Sequence, residues 1–473
     1  MKEDFDFFQN DEQLMSMISR FEDMLFNDKD CYFDIEEIEK LANYYYESTN
    51  LKRAMQVVNY GLTQHPLSSE LKICKAQLFI SSNKAEKGLE ILEYVEAIEP
   101  HNPDLQLTKG LIFSQLSRSD EAIEAFTKAI DNIEDKDETY INIAFEYENL
   151  NKYPEAINFL KLALAENPDN DSALYEIAFC FELAKKMEES ADFFADFTKK
   201  HPFSIAAWFN LGLSLQNLGL LEKAIMAYDY AIVIDEAYTP AYYNKAACFM
   251  NLEQYKKAIT IFEETFEYAE PEAFALYSIG ECYERAEEHQ NAFDYFKLAI
   301  EIDADFADAW IGAGVMLDHL GKTKSSIRFI EKGIELSPDN VEYWYILGDT
   351  FFKLKDFKVS ENAYRNVSLL QPTNNEIWTD LAAVIIEYRD VETAIEVLEE
   401  GLTYNNDQVE ILYWLGTLHL MTSNRMQAEI YFQKAFSIDY NCHEIIGEVN
   451  PDMLLNELVV NMIHEYKNNQ TIQ

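Results

Sequence analysis

Three tryptophans, Trp310, Trp344 and Trp378, stand 34 residues apart, and a fourth, Trp208, lies three such intervals before Trp310. A fixed period of this length restricts a chain to a repeat array, in which length measures copy number rather than the number of separate cores. From Ile35 to Cys442 the sequence divides into twelve blocks of 34 residues with no insertion or deletion. The blocks begin at Ile35, Ser69, Pro103, Asp137, Asp171, Ile205, Thr239, Ala273, Ala307, Val341, Asn375 and Val409.

The eighth residue of every block is Ala or Gly, from Ala42 to Gly416, and position 20 is Ala, Gly or Ser throughout. Two helices must approach closely at these points. Position 24 is apolar or aromatic in all blocks, from Val58 to Phe432, and supplies the bulk between them. Pro66, Pro100, Pro168, Pro202, Pro338 and Pro372 share position 32, where a missing amide and a fixed φ suit a turn between repeats. Apolar residues at positions 4, 7, 8 and 11, then 20, 24 and 27, follow helical spacing around a polar turn near positions 15 to 18. Each block is therefore expected to form an antiparallel helix pair. Helices of about a dozen residues are only about 18 Å long and marginal alone, so the pairs must stack, giving an all-α solenoid.

The run Trp208-x-x-Leu211-Gly212-x-x-Leu215 with Ala224, Tyr228 and Ala231 resembles the tetratricopeptide repeat pattern, and Leu276, Ile279, Gly280, Tyr283, Ala292, Phe296 and Ala299 follow it closely. The resemblance covers residues 35–442 in twelve contiguous copies. It implies a right-handed superhelix whose first helices line a concave groove. Gln106 and Lys109 depart from the usual apolar residues at positions 4 and 7, and Lys75 and Lys245 also stand at position 7, so local loosening is expected, most of all in the third block. An open solenoid needs capped ends. Residues 1–34 offer the stripe Leu14, Met15, Ile18, Phe21, Leu25 and Phe26, and residues 443–473 offer Leu454, Leu455, Leu458, Val459, Met462 and Ile463. The segment Phe5-Asp6-Phe7-Phe8 either packs on the first cap or serves as a docking motif.

With 48% hydrophobic residues, 31 Phe and 29 Tyr, the chain is far too apolar for a disordered acidic polymer. Eighty-five acidic against 38 basic residues leave a formal charge of −47, which repels phosphate backbones and anionic membranes and leaves neutral or basic partners, or solubility alone, as its purpose. The start, Met1-Lys2-Glu3-Asp4, lacks a signal peptide pattern and no stretch reaches membrane-spanning length, so a cytoplasmic location is expected. Chemistry finds little footing. Cys180, Cys248 and Cys282 share position 10 and read as packing residues; Cys442 and His443 alone do not make a metal site; Gly312 and Gly314 lie in a helix register rather than a phosphate loop. No enzyme activity, cofactor or metal is expected, and the roughly 30 residues after the last repeat leave no space for a catalytic domain.

In the family resembled, positions 2, 5, 6, 9, 12 and 13 of the first helix face the groove. Position 5 carries Tyr175, Phe209, Tyr243, Tyr277, Tyr345 and Tyr413, rings suited to gripping a partner segment, or else supports for the next repeat. Position 6 carries Asn142, Asn210 and Asn244, whose amides could clamp an extended backbone, and then Gly312, Ile346, Asp380 and Trp414, so the groove is expected to have two different halves. Position 2 is acidic in eight blocks and position 12 carries Glu148, Glu182, Glu284 and Asp318, which favours a basic peptide; at position 2 the carboxylate can instead serve the helix dipole. Chaperone C-terminal carboxylate tails are disfavoured, since Lys40, Arg285 and Lys353 are isolated cations. The expected function is a scaffold or adaptor for basic or amphipathic protein segments. The rivals are a self-assembling structural protein and a non-catalytic subunit that recruits a separate enzyme.

Overall fold

In the computed structural model, residues 2–27 and 30–470 are described, with side chains over 13–27 and 30–466. Every repeat forms a helix pair. The first helices occupy block positions 1–13 in eleven repeats, as in Asp137–Asn149 and Val341–Lys353, and positions 2–14 in the eleventh, Glu376–Tyr388; the second start at position 17, as in Tyr153–Glu166 and Phe357–Leu370. The seventh repeat ends its second helix early, at Glu264, with a 3-10 turn over Thr265–Glu267. First helices start where a residue just before the block caps them: Asp34 in a reciprocal box with Glu37, then Ser68, Asn102, Asn170, Ser204 and Asn340. The chain divides into two compact units, residues 1–241 and 242–473. Within each, neighbouring helices pack in sequence order as a solenoid does.

Inside each pair the fixed point is the meeting of positions 8 and 24. A Cβ placed on Gly212 would fall inside the Tyr228 ring, and one on Gly348 inside the Tyr364 ring. Phe126, Phe296 and Phe432 stand in the same way over Gly110, Gly280 and Gly416. Where position 8 is Ala instead, its partner at position 24 is more often aliphatic: Val58 opposite Ala42, Leu92 opposite Ala76, Leu160 opposite Ala144 and Leu398 opposite Ala382. The volumes of the two positions are matched.

A second regularity joins consecutive repeats. The indole Nε1 of Trp208, Trp344 and Trp378 donates to the carbonyl of Pro202, Pro338 and Pro372, at 2.9, 2.8 and 3.0 Å, and Trp310 donates to Ala304 at 2.9 Å. Position 4 thus bonds position 32 of the preceding repeat. Gln106 is buried and makes the same bond to Pro100 at 2.9 Å, and Lys72 makes it to Pro66 at 2.6 Å. Lys109 pairs with Glu96 at 2.6 Å across the same joint. The third repeat, expected to be loose, is held by polar contacts in place of apolar ones.

The turn within each pair closes with position 15 in the left-handed region, φ between 55° and 73°, in every repeat but the eleventh. Only Gly219 and Gly321 are glycines there. The geometry is kept by a six-to-one bond such as Asn50 N–H to Tyr45 O at 2.8 Å. In the eleventh repeat Arg389 takes φ −123° instead. Its guanidinium reaches the buried Glu361 at 3.2 Å, where Arg365 at 2.9 Å and the Tyr388 hydroxyl also donate. Burial works to raise Glu361, but these donors outweigh it and hold the carboxyl below its ordinary range.

The ends pack as caps through fewer residues than the sequence stripes suggested. Phe21 and Met24 are buried against Phe33 and Tyr45, whereas Met15, Leu25 and Phe26 are exposed because a single face of the helix Lys2–Asn27 meets the first repeat. The side chains of Phe5 to Phe8 lie outside the described residues. At the other end Leu458, Val459 and Met462 join Leu412, Phe432 and Phe436, while Leu455 is exposed. Among the described residues no helix is long and apolar enough to cross a membrane.

Position 10 is uncharged and buried in most repeats, with Leu78, Ile112, Cys180, Cys248, Cys282, Met316 and Leu418 there. Glu146 is the exception: it is 1% exposed, and neither carboxylate oxygen has a hydrogen-bond partner. Replacing a buried unpartnered carboxyl with hydrocarbon of similar shape removes a desolvation cost of about 1–3 kcal/mol. Glu146→Leu is therefore expected to raise the denaturant midpoint. Gly348→Ala should cost about 1–3 kcal/mol by overpacking against Tyr364. Added to Tyr364→Leu, the same change should cost less than the two losses combined, because it recreates the Ala–Leu pairing of other repeats. A double-mutant cycle by urea unfolding checks this.

Candidate partner-binding faces

The first helices place positions 2, 5, 6, 9, 12 and 13 on one face of each unit, and burial decides which of these side chains a partner could reach. Three of the residues proposed from sequence are removed from that surface. Tyr413 is fully buried, its hydroxyl donating to the Asp439 carbonyl at 2.8 Å and its ring 5.6 Å from Phe436 within the twelfth repeat, in one cluster with Ile446, Leu458 and Val459 of the segment that follows. Asn210 is buried and its amide donates to the Leu174 carbonyl of the preceding repeat at 3.3 Å, so it clamps the solenoid itself. Phe209 is nearly covered, lying 5.9 Å from Tyr228 and 5.4 Å from Tyr238. Its ring works as a support for the repeat joint.

The other position-5 rings are part support and part surface. Tyr175 is exposed and its hydroxyl meets that of Tyr238 at 2.9 Å. Tyr243 donates to Glu272 at 3.2 Å, and burial with that carboxylate pushes it up to about 12. Tyr277 is wedged between Phe296 and Phe306 at 5.4 and 5.0 Å, and Tyr345 lies 5.3 Å from Tyr364. Asn142 and Asn244 are half-buried.

In the first unit, Glu182 is exposed and Glu148 half-buried. The Cys180 thiol donates to Glu148 at 3.0 Å. Burial first, then a hydrogen bond shared with Glu176 and that residue's charge, push Glu148 up to about 7 against the opposing thiol bond. Burial also raises Cys180 itself, so the thiol is a poor nucleophile.

In the second unit, repeats 8 to 10 form a cleft of about 410 Å³. Repeat 8 contributes Tyr277, Glu281, Glu284 and Arg285; repeat 9 contributes Asp308, Ile311, Gly312 and Val315; repeat 10 contributes Glu342, Tyr343 and Ile346. Four carboxylates thus surround an apolar floor with one arginine. Gly312 leaves room for the Phe296 ring beneath the floor. Asp308 accepts from the Tyr343 hydroxyl. Burial raises both Glu281 and Glu284, with Arg285 acting in the opposite sense on each. Just beyond the cleft Asp318 is taken by Lys353 at 2.6 Å and Thr323 at 2.7 Å. Burial opposes ionisation there, but the bonds from Lys353 and Thr323 prevail and hold Asp318 below its ordinary value. Further on, burial and then the charge of Glu410 push Asp380 up to about 6.

Position 9 was the informative position left unread. It places Glu281 in this cleft and, in the first unit, exposes Leu111, Phe145 and Phe179. Among the described residues no group of three or more His, Cys, Asp or Glu is placed to hold a metal ion.

Glu148 and Asp380 titrate higher in the folded chain than in an unfolded one. Each therefore adds stability at pH below the ordinary carboxyl range that is lost as pH rises through about 6 to 7. The melting temperature is expected to rise from pH 8 to pH 5.5, and Glu148→Gln with Asp380→Asn should flatten that slope in a thermal scan.

Models of the tetratricopeptide repeat match residues 238–305 and 143–205, and single repeats at 103–135, 205–238, 307–340 and 341–374, together more than half of the chain. A search of curated proteins finds no significant match. Among solved structures, a tetratricopeptide repeat protein from Parabacteroides merdae ATCC 43184 is 16% identical, covering 53% of this chain and 98% of its own, with a TM-score of 0.40. YrrB, described as a TPR protein with an unusual peptide-binding site, is 20% identical over 40% of this chain and 97% of its own, with a TM-score of 0.33. MamA is 19% identical over 34% of this chain and 95% of its own, with a TM-score of 0.32.

Proposed function

The chain belongs to the tetratricopeptide repeat family, and from that premise we propose that it is a non-catalytic interaction scaffold whose repeats 8 to 10 hold a basic segment of a partner protein. The observation that carries this reading is the cleft in which Glu281, Glu284, Asp308 and Glu342 surround Ile311, Val315 and Ile346. Half-buried carboxylates with raised pKa values gain most from an incoming cation, since a Lys or Arg supplies the charge that burial has denied them. The apolar floor takes the aliphatic stem of the same side chain. A segment ending in carboxylates meets only Arg285 here, so acidic chaperone tails are poor ligands, as are nucleic acids.

A second reading, self-assembly through the ends, is supported by the exposed rings of Phe26 and Tyr32 toward the N-terminal end, 89% and 67% exposed. Sedimentation velocity over a hundredfold concentration range separates the two, a constant monomer counting against assembly.

A labelled nonapeptide rich in Lys and Leu should bind the full chain, and the same length of Glu and Leu should not. Glu281→Gln, Glu284→Gln and Glu342→Gln together should weaken the basic peptide by about tenfold or more in fluorescence anisotropy, while the fold remains intact by circular dichroism. Unchanged affinity would remove the cleft as the site.

A further inference from the structure

The second helix of the sixth repeat, Leu221–Ile234, turns Ala224, Ala227, Tyr228 and Ala231 into the core, where they are buried. Its opposite face carries Met226, Tyr230 and Val233 at block positions 22, 26 and 29, and these are 59%, 51% and 78% exposed. Spacings of four and three residues set the three side chains in one stripe along the helix. No other repeat is apolar at all three positions: repeat 5 has Asp192, Asp196 and Lys199 there, and repeat 7 has Thr260, Glu264 and Glu267. The stripe is therefore no requirement of the array, since eleven other repeats stack without one.

The stripe is also held in place. The Tyr230 ring stacks on Trp208 at 4.3 Å, and the Trp208 indole is fixed by its bond to the Pro202 carbonyl. Phe203, the next residue after that proline, is 82% exposed. A ring already fixed loses little side-chain freedom when a partner covers it. Scattered apolar side chains on a surface are ordinary, but a contiguous stripe bounded by charged residues marks a place of contact. Its own pattern selects the occupant. Met226 and Val233 stand at nearly equal distances on either side of Tyr230, so the same helix reversed sets Met226 against Val233 twice, with the Tyr230 rings near the axis. The reversal also brings Lys223, exposed before the stripe, toward Asp235 and Glu236 of the other copy, just after it.

We propose that two copies of this chain associate through the outward face of the helix Leu221–Ile234, packed antiparallel across a two-fold axis near Tyr230. The contact lies in the middle of the array rather than at its ends, and it does not depend on the acidic cleft of repeats 8 to 10. One helix against one helix covers less than the roughly 800 Å² per partner of a standard interface, so the dimer is weak, with a dissociation constant of about 10–100 μM. Two chains of formal charge −47 repel each other, and salt screens that repulsion while leaving the apolar contact in force. Association through this face therefore strengthens with salt, whereas a basic peptide in the acidic cleft is weakened by it.

The test is sedimentation velocity of the full chain from about 1 to 200 μM, a range that brackets the expected dissociation constant, at low and at high salt. The weight-average coefficient should rise with concentration toward that of a dimer, and the dissociation constant should fall at least about threefold between roughly 50 and 500 mM salt. Met226→Glu with Val233→Glu, both at exposed positions, should leave the melting temperature unchanged and the chain monomeric throughout. Phe26→Ser should keep the dimer, which separates this face from the N-terminal end, and so should the Glu281→Gln, Glu284→Gln, Glu342→Gln variant. The register has its own readout: Met226→Cys chains mixed with Val233→Cys chains should form disulfide-linked dimers faster than either variant alone. A wild-type monomer at every concentration, undiminished association in the double glutamate variant, loss of the dimer in Phe26→Ser, association that weakens with salt, or no excess of linkage in the mixture would each overturn the proposal.

Discussion

The close approach of positions 8 and 24 within each helix pair is the contact on which the rest of this structure depends. A ring lying directly over a glycine, as Tyr364 does over Gly348, sets how near the two helices can come. Interiors pack as densely as crystals, so there is no slack to absorb an extra methyl group. That fixed separation places position 4 of one repeat under position 32 of the repeat before it, where Trp344 reaches the Pro338 carbonyl. Pair geometry and joint geometry are thus one constraint met twice per block. This explains why the 34-residue register runs from Ile35 to Cys442 without a slip: a single inserted residue would separate the small position from its ring and the donor from its carbonyl together.

That coupling is also why the fold was legible in the sequence. Small residues, rings and prolines recur at a fixed interval, and periodicity survives any uncertainty about a single residue. The joints were legible only in part. Trp208 and its counterparts announced the period, but Gln106 and Lys72 serve the same carbonyls with different chemistry, and from sequence they look like defects. The binding faces were least legible, because exposure is set by what covers a side chain. Tyr413 has the same block position as Tyr345, yet it is buried in one cluster with Ile446, Leu458 and Val459 of the segment after the last repeat. Asn210 has the same position as Asn142, yet it is spent on Leu174. Position 9, which is hydrocarbon in the first unit and acidic at Glu281 in the second, carried information that a reading confined to aromatic and amide positions passed over.

The excess of negative charge acquires local meaning once burial is known. Most carboxylates stand in water on helix surfaces and contribute solubility and mutual repulsion. A few are held where water is scarce: Glu281 and Glu284 in the cleft, Glu148 against Cys180, Asp380 near Glu410. At those places the charge is expensive, and burial shifts each carboxyl upward from its ordinary range. Glu361 shows the opposite solution, a buried carboxylate ringed by Arg365, Arg389 and Tyr388, and it reshapes the only turn among the twelve repeats that avoids the left-handed conformation.

The five indoles are unevenly shared. Trp208 alone lies in residues 1–241, stacked 4.3 Å from Tyr230, while Trp310, Trp344, Trp378 and Trp414 lie in residues 242–473. Light absorbed at the red edge of the aromatic band is therefore taken up mainly by the second half of the molecule, whereas the peptide chromophore is spread evenly over both. Emission follows mainly the second half and far-ultraviolet ellipticity follows both, and the gap between their melting curves measures how independently the halves come apart.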